Sequence, residues 1–225
     1  MGRRRILAVL SLMMAATLAQ AETLQVTLCE VGLACNSVSS TGTGVAQYNS
    51  PYGHFAVNIV TGIGSPAVQS GELDLSTVNV TGAWTDGGTH TLQVWVSEIG
   101  VTPGVSGLTQ WSAIATGQLF GPGANVEYYA YEDSSNAVNG TQNLLYSNAL
   151  AGGGAFSFTG TGSASLAGPY SITQELVITL SSGGQLSSGD ATLVPMAVPE
   201  PSSLTLLGGG LIGLIHLVRR RMLGR

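Results

Sequence analysis

Thr89-His90-Thr91-Leu92-Gln93-Val94-Trp95-Val96-Ser97-Glu98-Ile99 puts Leu92, Val94 and Val96 on one face of an extended chain and Thr91, Gln93, Trp95 and Ser97 on the other. Period-two alternation of this length reads as a strand with one buried face. Tyr170 to Ser181 repeats the pattern, with Ile172, Leu176, Ile178 and Leu180 alternating against Thr173, Glu175 and Thr179. Outward from these two, further strands are predicted at Thr23 to Cys29, Phe55 to Thr61, Leu73 to Thr81, Trp111 to Leu119, Asn125 to Glu132, Gln142 to Ser147 and Ala155 to Ser165, between Gly, Asn and Ser clusters. One-sided strands bury their apolar faces against a second sheet, so the expected fold is all-β, a single jelly-roll-like β-sandwich. No segment of helical period or convincing repeat interrupts it. The sandwich is expected over residues 22–185, and residues 186–197, with their Ser, Gly and Pro, read as a stalk.

The charge distribution narrows function. Of 225 residues only 8% are charged, and all seven basic residues are arginines at the two ends: Arg3, Arg4, Arg5, Arg219, Arg220, Arg221 and Arg225. Every carboxylate but Glu200 lies between Glu22 and Asp190, a span with no Lys or Arg and a formal charge of −11. Nucleic acid is excluded as a partner, because phosphate affinity comes from basic side chains. Residues 1–21 combine the arginine run, an apolar core from Ile6 to Leu18 and Ala19-Gln20-Ala21, and read as a secretory signal peptide. Export reaches an oxidising space, where Cys29 and Cys35 are expected to form a local disulfide.

At the other end Pro199-Glu200-Pro201 precedes a Gly-containing apolar stretch from Leu204 to Val218, then Arg219, Arg220 and Arg221. The prolines hold the chain extended around Glu200. The apolar stretch makes a transmembrane helix of about 22 Å, short against a hydrocarbon core of about 30 Å, and the arginines orient it toward the cytoplasm. Residues 198–225 closely resemble the PEP-CTERM sorting signal. The resemblance implies that Pro199, Glu200 and Pro201 are recognised by an exosortase, a membrane transpeptidase-like enzyme of Gram-negative bacteria. Leu204 to Val218 would anchor the precursor transiently in the inner membrane, with Arg219 to Arg221 as the stop. It further implies delivery to the cell surface or extracellular matrix, and an association with exopolysaccharide and biofilm.

No catalytic constellation is legible. His54 and His90 lack a supporting signature, no Gly-x-Ser-x-Gly elbow occurs, and the carboxylates show no motif. The Gly-rich stretches 41–44, 152–154 and 159–162 lack a following lysine or helix and read as turns or bulges. A non-enzymatic surface or matrix protein is therefore expected, without a cofactor. A carbohydrate-binding module is the first alternative, since Trp95 lies on the polar face of its strand and Tyr129 and Tyr131 share a face with Glu127. Extracellular polysaccharide is the corresponding partner. A secreted hydrolase using carboxylates is the second alternative. No metal site is expected beyond a weak calcium candidate at Glu132, Asp133 and Asn136.

Overall fold

The computed structural model describes residues 22–102, 107–166 and 168–196; the expected signal peptide, the expected transmembrane helix and the sorting signal lie outside them. Twelve strands run in chain order: β1 (Thr23–Glu30), β2 (Asn36–Thr41), β3 (Val45–Tyr48), β4 (Phe55–Ile63), β5 (Leu73–Gly82), β6 (Thr89–Val101), β7 (Gly107–Phe120), β8 (Asn125–Asp133), β9 (Asn143–Ala151), β10 (Gly154–Leu166), β11 (Tyr170–Ser181) and β12 (Gln185–Met196). They form two six-stranded antiparallel sheets. Sheet I has the order β2-β1-β6-β11-β8-β9 and sheet II the order β10-β7-β12-β5-β4-β3. All nine expected strands are present, and no helix occurs among the described residues.

Antiparallel register turns sequence alternation into two distinct surfaces. Leu28, Val94, Leu176 and Tyr128 stand opposite one another across β1, β6, β11 and β8, and all four are buried between the sheets. One residue along, Thr27, Trp95, Glu175 and Tyr129 form the matching row on the outer face. Sheet II contributes Leu73, Leu75, Val78 and Val80 from β5, Trp111, Ala113 and Ala115 from β7, and Leu193 from β12 to the same core. A polar tie crosses that core, where Gln174 donates to the Leu73 carbonyl at 2.6 Å and accepts from the Tyr128 hydroxyl at 2.8 Å. Such a bond, fully satisfied, fixes how one sheet sits on the other.

Two expectations are corrected. Residues 186–196 are not a stalk: they lie in β12, an interior strand of sheet II paired with β7 on one side and β5 on the other. The stretch 159–162 is not a turn, because Gly160 and Gly162 sit inside β10, where a Cβ would collide with the Tyr146 ring and with Leu145 of β9. Here glycine allows close approach at a sandwich edge. The stretches 41–44 and 152–154 do turn, with Gly42, Gly44 and Gly152 at positive φ. Cys29 and Cys35 are disulfide-bonded, closing the turn between β1 and β2.

Candidate functional site

The outer face of sheet I carries the site. Trp95 projects from β6, and Tyr129 and Tyr131 from β8, on either side of β11. Tyr129 and Tyr131 are two residues apart and so share a face; their rings are 6.0 Å apart and 9° from parallel. Trp95 continues the row, 6.5 Å from Tyr131 at 20°. All three rings are partly solvent-accessible, whereas Trp84 and Trp111 are buried in the core.

Beneath the rings lies a ribbon of polar groups. Glu175 stands directly between Trp95 and Tyr129 in the register, and it is nearly buried by them. That burial pushes its carboxyl up to about 7, against the opposing pull of hydrogen bonds from Tyr131 and Gln93, the latter at 3.1 Å. Glu127 accepts from the Tyr129 hydroxyl at 2.6 Å and from the Asn125 amide at 3.2 Å. The bond to Glu127, more than burial, pushes the Tyr129 phenol up to about 12; desolvation does the same to Tyr131. Each hydroxyl is thus a donor throughout the physiological range, and each ring is held in orientation by a carboxylate. The arrangement offers aromatic surface beside fixed hydrogen-bonding groups, which is what an amphipathic, uncharged ligand such as a sugar requires.

The weak calcium candidate does not assemble. Glu132 faces inward, fully buried, and accepts from the Asn143 amide at 2.7 Å, whereas alternation turns Asp133 the other way. Asp133 caps the Ser135 amide at 2.7 Å, and Asn136 accepts from the Gly100 amide at 2.7 Å. One oxygen of each is engaged with a separate local partner, and Glu132 Oε1 is left buried without one. What the sequence did not reveal is that His54 and His90, 36 residues apart in a chain without other signatures, meet at Glu30. The only hint in the sequence was that these are the sole basic side chains of the exported span.

Residues 197–221 match the family model of the PEP-CTERM protein-sorting motif. No curated protein matches the chain. Among solved structures, a chain from a structure of infectious bursal disease virus Gx strain aligns at 12% identity with a TM-score of 0.28, over 80% of this chain and 52% of that one. The chain thus spans about half the length of that protein, and a likeness this loose carries no argument.

Proposed function

We propose that this chain, which carries a PEP-CTERM protein-sorting motif, is a non-enzymatic surface protein that binds extracellular polysaccharide through the outer face of sheet I. The motif itself indicates exosortase-dependent sorting of an exported, membrane-anchored precursor. The sugar-binding reading rests on one observation, the near-parallel row of Trp95, Tyr131 and Tyr129 over Glu175 on a partly open sheet face. Jelly-roll-like is our reading of the sandwich, since the chain passes from sheet to sheet at β2–β3, β5–β6, β6–β7, β7–β8, β9–β10, β10–β11 and β11–β12 rather than completing one sheet before the other.

Charge selects the ligand further. With no Lys or Arg from residue 22 to 196, the domain repels polyanions and lacks the bidentate partner that uronate carboxylates favour. Neutral or amino-sugar polymers fit, with C–H faces against the rings and hydroxyls or amines toward Glu127 and Glu175. Co-sedimentation of the exported protein with neutral, aminated and uronate-rich polysaccharides is expected to show saturable binding to the first two classes alone. Trp95→Ala and Tyr129→Ala should each weaken it about tenfold, or about 1.4 kcal/mol. Binding unchanged in both variants overturns the site.

Sorting has its own test. Glu200→Ala is expected to leave full-length chain in the membrane fraction on immunoblots, while the parent chain is shortened and released. Normal shortening of the variant overturns recognition through Pro199-Glu200-Pro201.

A further inference from the structure

We propose that Glu30, His54 and His90 form a binding site for a divalent transition-metal ion, with zinc as the best fit, at the end of the sandwich beside the disulfide. The three residues come from separate places in the chain: the last position of β1, the turn before β4, and the start of β6. One ligand atom from each lies within 4.8 Å of the other two.

The donor arrangement is specific. Glu30 has its side chain only 2% exposed, and its Oε1 faces His54 Nδ1 at 2.5 Å and His90 Nδ1 at 3.0 Å. Oε2 is already occupied, accepting from the His54 backbone amide at 2.8 Å, so a single carboxylate oxygen is left for the imidazoles. His90 Nε2 lies 3.0 Å from Asp86 Oδ2, and Asp86 is itself fixed by the Gly88 amide at 2.9 Å. A proton on Nε2 toward Asp86 leaves the lone pair on Nδ1, aimed at the common centre. This carboxylate–histidine pairing is the outer support that orients metal-binding imidazoles elsewhere. Two nitrogens and an oxygen thus present electron pairs to one point, and a single divalent ion neutralises the charge of Glu30 and Asp86 together.

Geometry and chemistry choose the ion. Tetrahedral ligands at zinc distances stand about 3.3 Å apart, and the carboxylate–imidazole separations of 2.5 Å and 3.0 Å are both shorter than that, so outward adjustments on the order of an ångström or less make the site. Two imidazoles and one carboxylate suit zinc, nickel, cobalt or copper, whereas calcium and magnesium want oxygen alone. The Trp84 ring walls the site, edge-on to His90 at 4.7 Å and to His54 at 6.1 Å, and its indole nitrogen is anchored on the Gly88 carbonyl at 3.0 Å. The side chain of His54 is 42% exposed, which leaves water access to a fourth position. A metal here would join β1, the turn before β4 and β6, reinforcing the corner that the Cys29–Cys35 bridge already closes. This inference is independent of the sugar-binding face.

The exported protein, stripped with a chelator and free of any histidine tag, is to be titrated calorimetrically with Zn²⁺. One ion per chain is expected, not displaced by excess Ca²⁺. His54→Ala and His90→Ala should each weaken binding at least tenfold, and Asp86→Asn about tenfold through its hold on His90. Zn²⁺ should also protect both imidazoles of the unaltered protein from carbethoxylation, a measurement that depends on no variant. Absence of one-to-one binding, or binding that survives His54→Ala/His90→Ala, or two imidazoles equally reactive with and without zinc, overturns the site.

Discussion

A chain ending at Gly184 is expected not to fold, whereas one ending at Met196 should unfold as a single cooperative unit. β12 bridges the two halves of sheet II, pairing with β7 from Gln185 opposite Phe120 to Met196 opposite Gln110, and with β5 from Gln185 opposite Thr81 to Leu193 opposite Leu73. Its removal splits the sheet into β10-β7 and β5-β4-β3 and leaves two long unpaired edges. It also strips Leu186, Ala191 and Leu193 from the core, where all three are essentially inaccessible to water. Burial of each leucine is worth about 1.5–3 kcal/mol, and each ladder hydrogen bond about 0.5–1.5 kcal/mol net. Summed over a twelve-residue interior strand, the loss exceeds a typical domain stability of about 5–15 kcal/mol. Urea titration followed by tryptophan emission reads the outcome, since buried Trp84 and Trp111 should be red-shifted from the start in the shorter chain. A sigmoidal transition at the same midpoint in both chains refutes the assignment.

The same strand shows why part of the fold was not legible. Leu186 and the pair Ala191 and Leu193 are of opposite parity, yet all face the core, because the register slips between Leu186 and Ala191 around Ser188 at positive φ. A bulge of this kind flips the alternation on which strand reading depends, and Ser187-Ser188-Gly189-Asp190 then reads as loop. β2 and β3 escaped for another reason: they are short, and β2 is rich in Ser at a sheet edge. Where alternation ran unbroken, as in β6 up to Ile99, in β8 and in β11, both the strand and its outward face were readable. Trp95, Tyr129 and Tyr131 could therefore be assigned an outer face from sequence. Their convergence could not, since it depends on β11 pairing between β6 and β8 across gaps of many tens of residues. Glu30, His54 and His90 are a stronger case, because nothing local links the end of one strand to a turn and the start of another.

Stability is expected to rise as pH falls from about 8.5 to about 5.5, the reverse of ordinary acid denaturation. Glu98 is buried on the core side of β6; one oxygen accepts from the Ser65 amide at 2.6 Å, and the other has no partner. Burial, together with the neighbouring carboxylate of Glu22, pushes its carboxyl up to about 8, and the groups facing it include the Tyr170 phenol. Burial likewise raises Glu175 to about 7 and Asp74 to about 6, and moves Glu132 and Asp190 upward. The described residues include no Lys or Arg to reverse this. In the unfolded chain these groups ionise near pH 4. Between that value and the native ones, the native state holds protons that the unfolded state has lost, so unfolding releases them and the free energy of unfolding decreases with rising pH. The stabilisation is complete below the unfolded values and disappears as pH climbs through the native ones. Glu30 and Asp86 are lowered, so what they contribute is lost only as pH falls through and below the ordinary carboxylate range, outside the window, while His90, raised by its bond to Asp86, acts inside the window in the same direction as Glu98. The net difference should amount to about 2 kcal/mol or more, a melting temperature about 5 °C higher at pH 5.5 than at pH 8.5. Scanning calorimetry in the presence of a chelator keeps bound metal out of the comparison. Glu98→Gln should flatten the slope, gaining stability at pH 8.5 and changing little at pH 5.5, because an amide reproduces the protonated acid and cannot be forced to ionise. A melting temperature that climbs with pH over this range, or a Glu98→Gln slope equal to the parent's, contradicts the assignment of Glu98 as the dominant group.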